Sequence, residues 1–134
     1  MTPRPVHLNT WEGFYFDHDL PALKDLASAA AAVGIERFVL DDGWFAGRKD
    51  DTSSLGDWWV DAGKYPQGLG PLANHVVGLG MEFGLWVEPE MINPDSALYR
   101  AHPEWALQIA GRPLLTARNQ LVLDMSQPGV SDYL

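Results

Sequence analysis

RFVLDDGWF, residues Arg37 to Phe45, runs three apolar side chains straight into two adjacent acids, a glycine and two aromatics. A short apolar run closed by a turn residue reads as a buried strand. Neighbouring strand residues point to opposite faces. Asp41 and Asp42 therefore meet one ligand only if the chain leaves the strand there, and Gly43 permits that turn.

Outward from this strand, elements alternate. PVHLNTW (Pro5–Trp11) reads as a strand. DLPALKDLASAAAAVG (Asp19–Gly34) predicts a helix with Asp19 as N-cap, Pro21 in its first turn and Gly34 at its end. Leu23, Leu26, Ala27, Ala30 and Val33 give it one apolar face. A long Gly-, Asp- and Ser-rich loop, GWFAGRKDDTSSLGDWWVDAGKYP, follows. Gly68–Gly80 predicts a second helix, EFGLWVEPE (Glu82–Glu90) a third strand stopped by Pro89, and Asn93–His102 a short helix. EWALQIAGRPLLTARNQ predicts a hairpin turning at Gly111 and Arg112. LVLD (Leu121–Asp124) predicts a fourth buried strand, and QPGVSDYL opens a helix.

Strands and helices alternating at this spacing build a parallel sheet through right-handed crossovers. Strands apolar at every position suit burial on both faces. The fold class is α/β, and an open doubly wound sheet competes with a (β/α)8 TIM barrel. No G-x-G-x-x-G follows the first strand, which argues against dinucleotide binding. Polar and aromatic residues gather at C-terminal strand ends: Asn9 and Trp11, Asp41 and Asp42, Trp86 and Glu88, and Asp124. A barrel keeps its active site at that face. Eight βα units take about 250 residues, and this chain holds roughly four. The expected architecture is the first half of a (β/α)8 barrel, with four parallel strands near 6–10, 37–41, 82–87 and 120–124 and helices outside. Residues 1–134 then form one partial catalytic domain whose C-terminal half lies outside them. Open edges on the first and fourth strands call for a partner, either the missing half of the barrel or a second copy in a homo-oligomer.

Composition narrows the ligand. The 134 residues are 46% apolar and 20% charged, a globular balance. Eighteen acids against nine Lys and Arg give a formal charge of −9. That argues against nucleic acid, whose phosphates demand basic patches, and against an anionic membrane surface. A neutral ligand tolerant of acids, such as a sugar, fits. Six Trp can supply sugar-stacking walls or fill core. Cysteine is absent, so no disulfide framework or thiolate chemistry arises. The start, MTPRPVHLNTW, has no leader-like apolar core, so the expected compartment is the cytoplasm.

Two adjacent carboxylates resist desolvation unless something donates hydrogen bonds to them. Three readings stand. A pair of sugar hydroxyls satisfies both acids; or one acid caps the loop while the other is solvated; or Asp41, Asp42, Glu88 and Glu90 ligate a metal through oxygen. No recognised ligand spacing supports the last, and no metal or cofactor is expected. Glu88 and Glu90, in VEPEM, suit a bracing role. Asp124 either lines the pocket or caps the helix near Pro128. His7 reads as a hydrogen-bonded barrel residue. Trp58 and Trp59 read as packing the long loop down, and Arg48, Lys49, Asp50 and Asp51 as a solvated charged face.

LNTWEGFYFD, FVLDDGWF, SLGDWWVDAGKYPQGL, GMEFGLWVEPEM, HPEW and RNQLVLDMS, in this order and spacing, resemble the catalytic barrel of family-36-type α-galactosidases. The resemblance covers nearly the whole chain. It implies a (β/α)8 barrel that hydrolyses terminal α-galactosides, as in melibiose and raffinose-type sugars, with retention. It further implies that Asp41 and Asp42 grip the galactose O4 and O6 hydroxyls, that Trp11 and Trp86 form aromatic walls, and that Arg118 reaches the substrate end of the barrel. A site built to bond a hydroxyl rejects its misplacement strongly.

No catalytic residue is assigned within these residues. The family nucleophile lies in a K-x-D motif on a later strand. None occurs after Leu121, Lys24 and Asp25 are adjacent on the first helix, and Asp124 has Val122 two positions before it. Alternatives are a related α-N-acetylgalactosaminidase or galactosyl transferase, a non-catalytic sugar-binding or structural half-barrel, and a metal-dependent phosphoesterase.

Overall fold

The computed structural model describes residues 4–134. The chain forms two compact units, Met1–Trp44 with Val60–Val87, and Phe45–Trp59 with Glu88–Leu134.

The first unit contains a parallel sheet. β1 (His7–Asn9), β2 (Arg37–Leu40) and β3 (Glu82–Leu85) lie in the order β1-β2-β3, all parallel. Phe38 stands beside Leu8 and Phe83, and Val39 beside Asn9 and Gly84. A Cβ at Gly84 would come within 3.1 Å of the Val39 side chain, so the smallest residue fits that ladder position. α1 (Trp11–Phe14) is a single turn after β1, and α2 (Leu20–Ala32) and α3 (Gly70–Gly78) are the crossover helices. Asp19 caps α2 as its sequence predicts, accepting from the Ala22 amide at 2.9 Å. Leu23, Ala27 and Ala30 of α2 and Leu72 and Val76 of α3 are buried, as are Phe38 and Leu40. Each fully buried Leu or Phe contributes about 1.5–3 kcal/mol, so this face carries the packing. β2 is not uniformly buried. Phe38 and Leu40 are inaccessible while Arg37 and Val39 are half-buried, so full burial falls on one face and not on both. The register neighbours Arg37 and Glu82 pair on the surface at 2.7 Å, worth about 0–1 kcal/mol.

The second unit departs from expectation in four places. First, the fourth strand is not parallel. β5 (Leu121–Val122) pairs antiparallel with β4 (Met91–Ile92), Ile92 opposite Leu121. Its exposure alternates: 5% at Leu121, 44% at Val122 and 2% at Leu123. That one-sided pattern suits an antiparallel strand. Three apolar residues in a row conceal it.

Second, the hairpin turns later. Gly111 does make a turn, with the Arg112 amide 3.0 Å from the Ile109 carbonyl. The paired backbone closes instead between Ala117 and Gln120, through reciprocal bonds of 3.2 and 3.0 Å. Arg118 and Asn119 between them have φ of 53° and 60°, the left-handed pair of a type I′ turn.

Third, the helix expected over Asn93–His102 is only α4 (Ala97–Ala101). Ser96 caps it, Oγ accepting from the Tyr99 amide at 3.0 Å. The Asp57 carboxylate takes the Ala97 and Leu98 amides at 2.8 and 3.0 Å. Together these satisfy three of the four orphan donors of the first turn. A 3-10 turn (Pro103–Trp105) and α5 (Pro128–Tyr133) complete the unit. Ile92, Leu98, Ala106, Leu121, Leu123 and Val130 form its core, with Tyr99 and Trp105 against them.

Fourth, Arg48 does not belong to a solvated face. It is 1% exposed. Its Nη1 donates to the Ser53 carbonyl at 2.7 Å and to Asn93 Oδ1 at 3.2 Å, and its guanidinium lies 5.6 Å from the Phe45 ring centre. Lys49 and Asp50 remain exposed. Trp58 packs edge-on to Phe45 at 4.9 Å, as a loop-packing residue should, while Trp59 is 48% exposed.

Candidate functional site

Three neighbouring strand ends supply the site. β1 leads into Thr10 and Trp11, β2 into Asp41 and Asp42, and β3 into Trp86. Backbone bonds carry the ladder one step past the strands: Thr10 N to the Val39 carbonyl at 3.1 Å, Trp86 N to the Leu40 carbonyl at 2.9 Å. The Asp41 amide donates to Thr10 Oγ1 at 3.0 Å.

Both acids are buried, 7% exposed at Asp41 and 6% at Asp42. Neither is the solvated carboxylate of the loop-capping alternative. Asp41 Oδ2 accepts from Asn9 Nδ2, and Oδ1 accepts from the Asp42 amide at 2.8 Å. Asn9 Oδ1 in turn accepts from the Trp11 amide at 2.8 Å. One amide side chain therefore ties Trp11 to Asp41. Buried carboxylates are tolerated only with such donors.

Trp11 and Trp86 are half-buried. The Trp11 ring meets Tyr15 and Phe16 edge-on, at centroid distances of 5.0 and 5.1 Å. Trp44, 3% exposed, donates through Nε1 to the Trp86 carbonyl at 2.8 Å and fixes that backbone. The four first-unit candidates, Trp11, Asp41, Asp42 and Trp86, thus share one sheet end. Arg118 belongs to the second unit, exposed on the Ala117–Gln120 turn. The Asn119 carbonyl of that turn accepts from the buried Asn93 Nδ2 at 2.8 Å.

Gly43 turns the chain behind the acids at φ 106°. A Cβ there would lie 3.0 Å from Phe16 Cα and 3.3 Å from His18 Nε2. Gly43→Ala is expected to cost roughly 1–3 kcal/mol of stability, read by urea denaturation. An unchanged midpoint would show that the turn is not constrained.

His18 is buried with Nδ1 2.7 Å from the Tyr65 hydroxyl. Burial, and then the nearby Lys64 charge, depress its pKa to about 4. Burial likewise raises the Tyr65 phenol, with the Asp61 charge adding to it. The folded state thus holds His18 neutral where the unfolded chain, with a pKa near 6.5, takes up a proton. The unfolded state binds more protons between those values, so stability is fully present above about pH 6.5 and falls towards pH 4. Thermal melts across that window should show the fall. His18→Phe should flatten it, and an unflattened profile would assign the fall to other groups.

The remaining candidates scatter. His7 is exposed on β1. Glu88 accepts from Gln120 Nε2 at 3.3 Å, and Glu90 is exposed. Asp124 is not the N-cap of α5; Gln127 holds that position without a side-chain bond. Asp124 Oδ1 instead accepts from Ser126 Oγ at 2.6 Å and the Ser126 amide at 3.1 Å, which hold its pKa below the usual carboxylate value. Among the described residues, no group of three or more His, Cys, Asp or Glu side chains is placed to hold a metal ion. Sequence reasoning placed Asn9 only among strand-end polar residues and missed its link to Asp41. It missed Lys64, Tyr65 and His18 altogether, because a loop carries no periodic signal.

The melibiase family profile matches residues 1–134. The chain belongs to the melibiase family. It is 58% identical over 131 residues to an α-galactosidase of Escherichia coli, covering 98% of this chain and 18% of that protein. The crystal structure of GH36 α-galactosidase AgaB from Geobacillus stearothermophilus superposes with a TM-score of 0.93 at 55% identity, over 97% of this chain and 18% of that one. A variant of AgaA from the same organism, solved in complex with raffinose, gives a TM-score of 0.91 at 53% identity, over 97% of this chain and 18% of that one. The chain thus spans under a fifth of the length of these relatives. The α/β fold class, with parallel strands and helices, agrees with that of the melibiase barrels.

Proposed function

We propose that this chain is the galactose-gripping part of a retaining α-galactosidase acting on raffinose-type sugars. The observation that carries the reading is the buried Asp41–Asp42 pair at the end of β2, flanked by Trp11 and Trp86. The acids accept the O4 and O6 hydroxyls, and the indoles face the apolar side of the sugar. The family resemblance adds Arg118 to the sugar-binding residues. The AgaA relative solved with raffinose supports this substrate class. Bond cleavage needs two more carboxyls, a nucleophile and an acid/base about 5–5.5 Å apart, and these come from polypeptide beyond the present 134 residues. The remaining half of the barrel, or a second copy, is the protein partner.

The test compares two proteins on an aryl α-galactoside: the polypeptide carrying this chain with its barrel complement, and residues 1–134 alone. Turnover is expected in the first and none in the second, because gripping the sugar stabilises substrate and transition state alike and gives little rate. An inactive complete polypeptide would overturn the α-galactosidase reading. Turnover by residues 1–134 that disappears in Asp124→Ala would make Asp124 the nucleophile.

A further inference from the structure

We propose that Lys64 is a positioning residue for sugar recognition, and that it acts by clamping the turn behind the acid pair to the segment that supports Trp11. The inference rests on the galactoside reading above and deepens it.

Lys64 Nζ donates to two backbone carbonyls, Gly43 at 2.7 Å and Phe16 at 2.8 Å. Gly43 directly follows Asp41 and Asp42. Phe16 is the residue whose ring packs edge-on to Trp11 at 5.1 Å. One ammonium thus bridges the chain after β1 to the chain after β2, the two segments that supply an aromatic wall and both acids. Lys64 is itself fixed. The Asp61 Oδ1 atom accepts from the Gly63 amide at 2.7 Å and the Lys64 amide at 3.2 Å, and the Asp61 amide bonds the Trp44 carbonyl at 3.0 Å. The adjacent Tyr65, 2% exposed, braces the same turn through His18, which lies against Gly43. The Phe16 and Gly43 carbonyls converge on one ammonium. Three ammonium donors can serve both at once.

Misplacement of a binding group by about 1 Å can cost about a hundredfold in rate. The complete polypeptide is therefore assayed as wild type, Lys64→Met and Lys64→Arg. Each is measured on an aryl α-galactoside and on the matching aryl β-L-arabinopyranoside, which keeps the ring hydroxyls but lacks the C6 hydroxymethyl group. Lys64→Met should lower kcat/KM on the galactoside by about ten- to a hundredfold, mostly through KM, and on the arabinoside several-fold less. Lys64→Arg, which again offers donors to both carbonyls, should recover most of the loss. The ratio of the two substrates is the deciding readout, because a merely destabilised protein loses both activities together. Equal losses on the two substrates, or no loss on either, would overturn the role of Lys64 and leave the functional reading intact. If Lys64→Met does not fold, Lys64→Gln, with a donor for one carbonyl, is measured in its place and the same ratio decides. A wild-type polypeptide without galactoside turnover would overturn both readings.

Discussion

In the complete polypeptide, Asp41→Asn and Asp42→Asn are each expected to weaken use of an aryl α-galactoside by about 1.5–3 kcal/mol, the scale of a hydrogen bond to a charged group. That is one to two orders of magnitude in kcat/KM, appearing chiefly in KM because, on the function proposed above, the sugar hydroxyls are held before and during reaction. The matching glucoside, with O4 on the wrong face, should be affected far less. The two variants should differ in stability. Asp41 accepts from two donors, Asn9 Nδ2 and the Asp42 amide. An asparagine there turns an NH2 group towards one of them whichever way its amide is flipped. Asp41→Asn should therefore also lower the melting temperature, and Asn9→Ala should reproduce part of its effect by releasing Asp41 from Trp11. Steady-state kinetics on both glycosides and thermal melts separate the contributions. Equal losses on galactoside and glucoside would mean that the acids serve folding and not recognition.

The largest effect on stability is expected at Asn93, which is fully buried. Its Oδ1 accepts from the Leu55 amide at 2.8 Å and from Arg48 at 3.2 Å, and its Nδ2 donates to the Asn119 carbonyl at 2.8 Å. Asn93→Leu removes these three bonds, and a longer one from Nδ2 to the Asp51 carbonyl at 3.4 Å, and strands a buried amide and a buried guanidinium hydrogen. Each orphan costs about 1–3 kcal/mol, so a loss of roughly 2–5 kcal/mol is expected in urea denaturation. Asn93→Asp keeps both acceptor contacts and should cost less. The same change frees the turn that carries Arg118, whose two left-handed residues rely on outside support. A loss within about 0.5 kcal/mol, the range of an ordinary surface substitution, would show that the network is not structural.

How much of this was legible in the sequence depended on how local its cause was. Asp19 and Gly34 bounded α2 because a cap and a left-handed stop are decided within a few residues. The parallel β1-β2-β3 order followed from the alternation of elements, since a strand–helix–strand link of that length has one favoured hand. The placing of Trp11, Asp41, Asp42 and Trp86 at one sheet end came from the same rule, as each lies within two residues of the end of a parallel strand.

Only the tertiary structure decided the rest. LVL reads the same whether one face is buried or two, and its antiparallel pairing with Met91–Ile92 was settled by a partner about thirty residues away. Arg48 sits in a run of four charged residues, and its burial rests on Asn93, forty-five residues on. Lys64 reaches carbonyls twenty-one and forty-eight residues before it. Backbone carbonyls carry no residue identity, so nothing in the letters at Phe16 or Gly43 announces that a lysine will bind there. The sequence by itself determined that Trp11, Asp41, Asp42 and Trp86 follow three parallel strands at one sheet end. Folding decided what holds them in place, because those bonds exist only once distant segments have been brought together.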